Sequence, residues 1–317
     1  MANIFFQGAE LRISSGSAGS SVAPLDRIQS VGVSYQKPTT SISVLGRFKP
    51  LDDRPVVNYT PVSLSFDFIK SSKTVESNIG LINVNGVGLN LANSESVNGY
   101  GLRNFEIGMS STRQSTHSNK IVISSGALNS YSIQGSVGEP ARGSCSFECF
   151  DWTNESDNTT KTSQNYSGEL VKPEDTFISG IQFEGFGVSG LMVQSFNLGL
   201  SVGRSASFRL GKKYPERPVT SVSASLQING FLEGLGANFT GLSSFDCGAP
   251  ITGSYYLTLI PSCSTESATT YKITNPHLDS HSISAAVGNF VGVDLSFSIP
   301  ISIVESEAAS GPNLTIT

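Results

Sequence analysis

Val62-Ser63-Leu64-Ser65-Phe66-Asp67-Phe68 carries an apolar side chain at every second position. A period-two run of this kind is a strand with one face buried and the other wet. The pattern returns 160 residues later at Val222, Ala224, Leu226 and Ile228. Outward from this pair, Ile28-Gln29-Ser30 returns as Val193-Gln194-Ser195 and Leu45-Gly46-Arg47 as Leu210-Gly211-Lys212, each displaced by 165. Pro50 and Pro215 keep the same spacing, and Arg54-Pro55-Val56 matches Arg217-Pro218-Val219 at 163. Ser132-Ile133 and Val137-Gly138 match Ser282-Ile283 and Val287-Gly288 at 150. The matches keep their order while the displacement only shrinks, as a tandem duplication with loop deletions in the second copy would produce. Two units this long can each hold a core, so the pattern predicts a duplicated domain and not a solenoid.

The 317 residues suggest two domains on length alone. We expect an N-terminal arm at 1–25, a first β domain at 26–152, a polar linker at 153–176, a second β domain at 177–304 and a polar, mobile tail at 305–317. The arm is Gly/Ser-rich around Ser14–Ser21, but its apolar start, Phe5-Phe6, suggests docking, with a faint echo at Phe177-Ile178. In the first unit Ile28, Val31, Val33 and Tyr35 begin a strand, and further strands are expected at Phe105–Met109, Lys120–Ser124, Tyr131–Val137 and Gly143–Phe150. Between Gly46 and Pro61 the prolines and charges predict a long projecting loop, since proline cannot sit in a central strand. After Phe68 the period changes. Val75, Ile79 and Ile82 fall at helical spacing, as do Leu235, Phe239 and Leu242 at a displacement of 160. Each unit is therefore expected to be a β-barrel or sandwich with one short helix and one long loop between early strands, its alternating strands closing to bury one side.

Charged residues make up only 14% of the chain, against 38% hydrophobic residues and 32 glycines. Such a surface resists self-association poorly, which fits a chain that assembles. The net charge of −5 argues against a sequence-reading nucleic-acid binder, which needs clustered Lys and Arg. No apolar run of 18 residues occurs, and Met1–Gln7 reads as no secretory signal. The six Asn-x-Ser/Thr triplets then read as chance. Cys145 and Cys149, on one strand face about 13 Å apart, are too distant for a bridge and read as buried thiols. Cys247 and Cys263 complete the set.

No catalytic constellation or phosphate loop is present. Asp52-Asp53 reads as a salt-bridge partner of Arg54 or of another subunit. His117, His277 and His281 are scattered, and no metal or cofactor is expected. Trp152, beside Phe147 and Phe150, reads as a packing anchor rather than a sugar platform. Arg54-Pro55 and Arg217-Pro218 form the one charged feature kept in both units. Either they brace the loop locally or they contact a neighbouring subunit through the fork geometry of arginine.

The paired motifs Leu45-Gly46-Arg47 to Arg54-Pro55 and Val62–Phe68 with its helical stripe, repeated at 210–218 and 222–242, resemble the layout of a bacteriophage major tail tube protein with two tandem tube domains. The resemblance covers about residues 26–304. It implies a non-enzymatic structural virion protein in which three subunits form a pseudo-hexameric ring, and rings stack into a hollow tube for DNA ejection. It implies inner sheets joined into one lining and an acidic lumen that DNA passes without specific binding. The loops 46–61 and 211–221 would be the stacking loops, with Arg47, Asp52, Asp53, Arg54, Pro55, Lys212, Glu216, Arg217 and Pro218 as inter-ring or inter-subunit contacts. Other partners would be tail proteins such as terminator, tape measure or baseplate. Location would be the virion tail, after assembly in the host cytoplasm. The competing readings are a baseplate, fibre or receptor-binding component of a virion, and a β-sandwich hydrolase.

Overall fold

The structure is a computed structural model that describes residues 9–15, 22–35, 61–71, 73–81, 102–110, 115–160, 181–184, 191–205, 207, 210, 219–232, 253–260, 268–285, 291–301 and 314–317. The chain is mainly β. Its first half holds β1 (Ala9–Ser15), β2 (Ala23–Pro24), β3 (Ile28–Ser34), β4 (Val62–Ile69), helix α1 (Thr74–Ile79), β5 (Arg103–Met109), β6 (Asn119–Ser136), β7 (Arg142–Cys149) and β8 (Asp151–Ser156). The second half holds β9 (Ile181–Glu184), β10 (Leu191–Arg204), β11 (Val219–Leu232), β12 (Ser254–Leu259), β13 (Thr269–Thr274), β14 (His277–Ser284), β15 (Val291–Pro300) and β16 (Leu314–Ile316).

Eight strands make one antiparallel sheet in the order β3-β4-β7-β6-β10-β11-β15-β14. The beginning of β6 leaves this sheet and runs with β2-β1-β5 on one side and β8 on the other. A separate sheet has the order β9-β12-β13-β16. These orders fall into matching halves. β3-β4-β7-β6 corresponds to β10-β11-β15-β14, and β1-β5-β6-β8 to β9-β12-β13-β16.

The registers match as well. Tyr131 faces Cys145 and His281 faces Leu295, both displaced by 150. Phe105 faces Ile123 and Tyr255 faces Ile273, again by 150. A register shift between Leu128 and Ser130 recurs between Leu278 and Ser280, and one between Ile28 and Ser30 recurs between Val193 and Ser195. The turn of β6 out of the large sheet passes through Ser125 at φ 52°, whose amide donates to Asn104 Oδ1 at 2.8 Å. Its counterpart Asn275 (φ 49°) separates β13 from β14. Asparagine tolerates this left-handed conformation and serine does so less readily.

One displacement is corrected. Phe66 faces Cys145 and Ile228 faces Leu295, so β4 matches β11 at 162 and not at 160. Val62, Leu64 and Phe66 thus align with Ala224, Leu226 and Ile228. A slip of two leaves every side chain on the same face, so alternation alone could not reveal it.

The large sheet buries one face. In β4 the burial alternates strictly, with Val62, Leu64, Phe66 and Phe68 covered. Phe196, Leu198, Leu200, Leu226, Ile228, Leu295 and Phe297 continue this core in the second half. Phe66 stacks on Phe147 at 6.0 Å, and Phe105 meets Phe147 edge-on at 4.7 Å. Each such side chain stabilises by about 1.5–3 kcal/mol. Gly143 makes room for this packing, because a Cβ there would lie 2.1 Å from the Phe68 ring. Helix α1 is only six residues long, without a side-chain N-cap, and stops at Gly80 in the left-handed conformation (φ 86°). At that length burial of Val75 and Ile79 holds it, not propensity.

Other expectations shift. Residues 9–15, assigned to a flexible arm, form β1 with Leu11 and Ile13 buried. The polar stretch beginning at Thr153 starts as β8, paired with β6. The tail ends in β16, where Leu314 and Ile316 are buried against β13 rather than mobile. The expected closure of each unit is not seen: the sheets are open, with β3 and β14 as the outer strands of the large one among the described residues. Ile82, Leu235, Phe239 and Leu242, and with them the second helix, lie outside the described residues.

Candidate assembly surface

The uncovered face of the large sheet is built mostly of neutral polar side chains with a few carboxylates among them. Along β11 it presents Ser223, Ser225, Gln227 and Asn229, and along β4 Ser63, Ser65 and Asp67. A groove of about 510 Å³ opens on this face, lined by residues including Gln134, Asn197, Gln227 and Asp294. The carboxylates are held by local donors. Ser30 Oγ donates to Asp67, Ser282 Oγ and Asn229 Nδ2 to Asp294, and Ser298 Oγ to Asp279 at 2.8 Å. Asp67, Glu148, Asp279 and Asp294 outnumber the arginines of these strands. Arg142 is exposed, whereas Arg204 donates to the Leu128 carbonyl at 3.4 Å.

The middle of the sheet is the junction of β6 with β10. Ile133 lies opposite Leu198 and Tyr131 opposite Leu200, all 3% exposed or less. At the two ends of the sheet the counterpart positions are bare. Val33 (counterpart of Leu198) is 37% exposed and Ile283 (counterpart of Ile133) 42%. Tyr35, counterpart of Leu200, is 47% exposed. Open strand edges with apolar side chains are templates for pairing with another strand.

Beneath the central junction lies a buried polar network. Lys70 Nζ is 2.6 Å from Glu76 Oε1, to which the Tyr131 hydroxyl donates at 2.8 Å. The Tyr271 hydroxyl donates to the Tyr131 hydroxyl at 2.7 Å and lies 3.3 Å from the same carboxylate oxygen. Burial lowers the Lys70 pKa, and Glu76 opposes that shift. Burial and then Glu76 push both tyrosines well up, so they stay protonated as donors. The same two influences, with Asp67, raise the thiol of buried Cys145. All four network residues are sealed from solvent. They tie α1, β6 and β13 together across the two halves.

A second cluster fixes β1. Arg12 reaches Glu10 at 3.2 Å, Asp157 at 3.3 Å and Glu106 at 3.7 Å. His117 Nε2 lies 2.8 Å from Glu10 Oε2, and Lys120 pairs with Glu106 at 2.9 Å. Burial opposes ionisation of Asp157. Hydrogen bonds from the Thr159 amide and hydroxyl, with Arg12, outweigh it and lower the pKa.

The contact residues named from sequence, Arg47, Asp52, Asp53, Arg54, Pro55, Lys212, Glu216, Arg217 and Pro218, lie outside the described residues. Of the helical stripe, Val75 and Ile79 are buried on α1. Trp152 is not a packing anchor: it is 40% exposed on β8. Val33, Tyr35 and Ile283 read in the sequence as strand and repeat positions, with nothing to mark them as contacts. Carrying the 165 and 150 displacements into the strand order would have exposed them as counterparts of core positions. Among the described residues no group of His, Cys, Asp and Glu is placed to hold a metal, and no helix is long and apolar enough to cross a membrane. No protein-family model matches the chain, and no curated protein matches it.

Proposed function

We propose that this chain is a structural virion protein whose copies close into rings of three and stack into a tail tube, the conduit for DNA ejection. In this reading the matching halves β1–β8 and β9–β16 are tandem homologous units, wider than the 26–152 and 177–304 expected from sequence, so three chains present six similar modules. The single observation that carries it is the strand order of the large sheet. One four-strand unit is followed by a second of the same order and register, and the free ends are the counterparts of the strands already joined in the middle. A contact that a chain makes once internally, and offers again at both ends, generates rings or filaments.

The uncovered face supports the same reading. Serine, asparagine and glutamine offer no cation to phosphate, and the excess of carboxylates repels it, so a polyanion slides past without binding. That face would line the lumen, while the core face and the smaller sheets lie outward. The resemblance to tail tube proteins supplies the stacking role for loops 46–61 and 211–221.

Sedimentation and electron microscopy of the purified chain test this. Rings of three 33.5 kDa chains, about 100 kDa, and hollow stacks of them are expected. A single 33.5 kDa species at every concentration overturns the proposal.

A further inference from the structure

We infer that β14 of one copy adds antiparallel to β3 of the next in a fixed register, with Ile283 opposite Val33 and His281 opposite Tyr35. The inference rests on the assembly reading above and names the surface through which assembly occurs.

The register follows from the internal junction. There Leu198 faces Ile133, Gly199 faces Ser132 and Leu200 faces Tyr131, within a ladder running from Ser195↔Ser136 to Ser201↔Ser130. β10 corresponds to β3 at 165 and β6 to β14 at 150, each fixed by matching bulges. Carrying both displacements through gives Val31↔Ala285, Gly32↔Ser284, Val33↔Ile283, Ser34↔Ser282 and Tyr35↔His281. Side-chain faces agree: Val33 and Ile283 fall on the core side, Ser34 and Ser282 on the polar side.

Exposure is the independent observation. Three of the positions predicted to meet are left bare, at 37% for Val33, 47% for Tyr35 and 42% for Ile283. Their internal counterparts are covered, at 2% for Leu198, 3% for Leu200 and 0% for Ile133. The occupant is therefore a second copy, since each edge is shaped like the partner of the other. The two junctions also differ. The hydrogen bond between Tyr271 and Tyr131 maps onto Ile121 of one copy facing His281 of the other, so the buried polar network belongs to the internal junction alone.

Two variants with one added cysteine each, Val33→Cys and Ile283→Cys, are mixed under reducing conditions, assembled, then oxidised and run on a non-reducing gel. The unmodified chain controls for native thiols, and Val31→Cys mixed with Ile283→Cys controls for a shifted register. A dimer-mass band from Val33→Cys with Ile283→Cys, absent from both controls, is the expected result. Assembly without that band, or with the shifted pair linking instead, overturns the register while the assembly reading stands. Failure of the unmodified chain to assemble at all sinks the assembly reading itself. The double variant Val33→Cys/Ile283→Cys covers the remaining case: linkage only at monomer mass means the sheet closes on itself, and this overturns the inference.

Discussion

Replacing Val33 by Asp separates folding from assembly. In the isolated chain Val33 is 37% exposed on an outer strand, so a carboxylate there keeps a path to water. A change at such a partly covered edge position costs about 1 kcal/mol. In the assembled state the position is expected to be as covered as Leu198, at 2%. The substitution then forfeits part of the about 1.5–3 kcal/mol of a buried valine and adds the cost of desolvating an unpaired carboxylate. A combined penalty of about 3 kcal/mol per junction follows, and at 1.4 kcal/mol per factor of ten each contact weakens by about 100-fold or more. Sedimentation velocity over a concentration series, with thermal melting alongside, reads both effects. Val33→Asp should shift assembly to far higher concentration and melt within about 2 °C of the unmodified chain. The same change at Leu198 should break the fold. Assembly of Val33→Asp at unchanged concentration, or melting as low as Leu198→Asp, would mean that Val33 lies at no junction between copies.

Glu76→Ala strands Lys70 as a buried, uncompensated cation beside Tyr131 and Tyr271. A loss of about 3–5 kcal/mol in urea unfolding is expected, with Tyr271→Phe costing about 1 kcal/mol. Gly143→Ala drives a methyl into the Phe68 ring and should cost about 1–3 kcal/mol by the same assay. Asp157 has a lowered folded pKa. Its contribution is therefore present above its unfolded pKa of about 3.9 and is lost as pH falls through the folded value. Amide exchange at Leu11 and Ile13 should accelerate in that acid window, and Asp157→Asn should remove this pH dependence.

What the sequence revealed, and what it hid, has physical reasons. Alternation at Val62–Phe68 reports which side is buried, and burial on β4 follows it residue by residue. The repeated segments around Ile28 and Ser132 were legible because they keep both residue types and bulges. The two-residue error at Val222 arose because serine alternates there with any apolar residue. β1 was hidden because Glu10 and Arg12 look solvent-bound, and only the distant partners His117, Glu106 and Asp157 make their burial tolerable. The corner at Ser125 leaves no trace in composition. The edges were hardest to see: Val33 and Ile283 read as core positions whether their cover comes from the same chain or from another.

The most direct measurement is a cryo-electron microscopy map of the assembled particle. The expected map shows a ring circumference formed by one unbroken sheet of eight strands per chain, with β14 hydrogen-bonded to β3 of the neighbour and the Ser223–Asn229 face toward the lumen. Separate globules with β3 and β14 left open or capped, or a lumen lined by the face bearing Leu226 and Phe297, would contradict it.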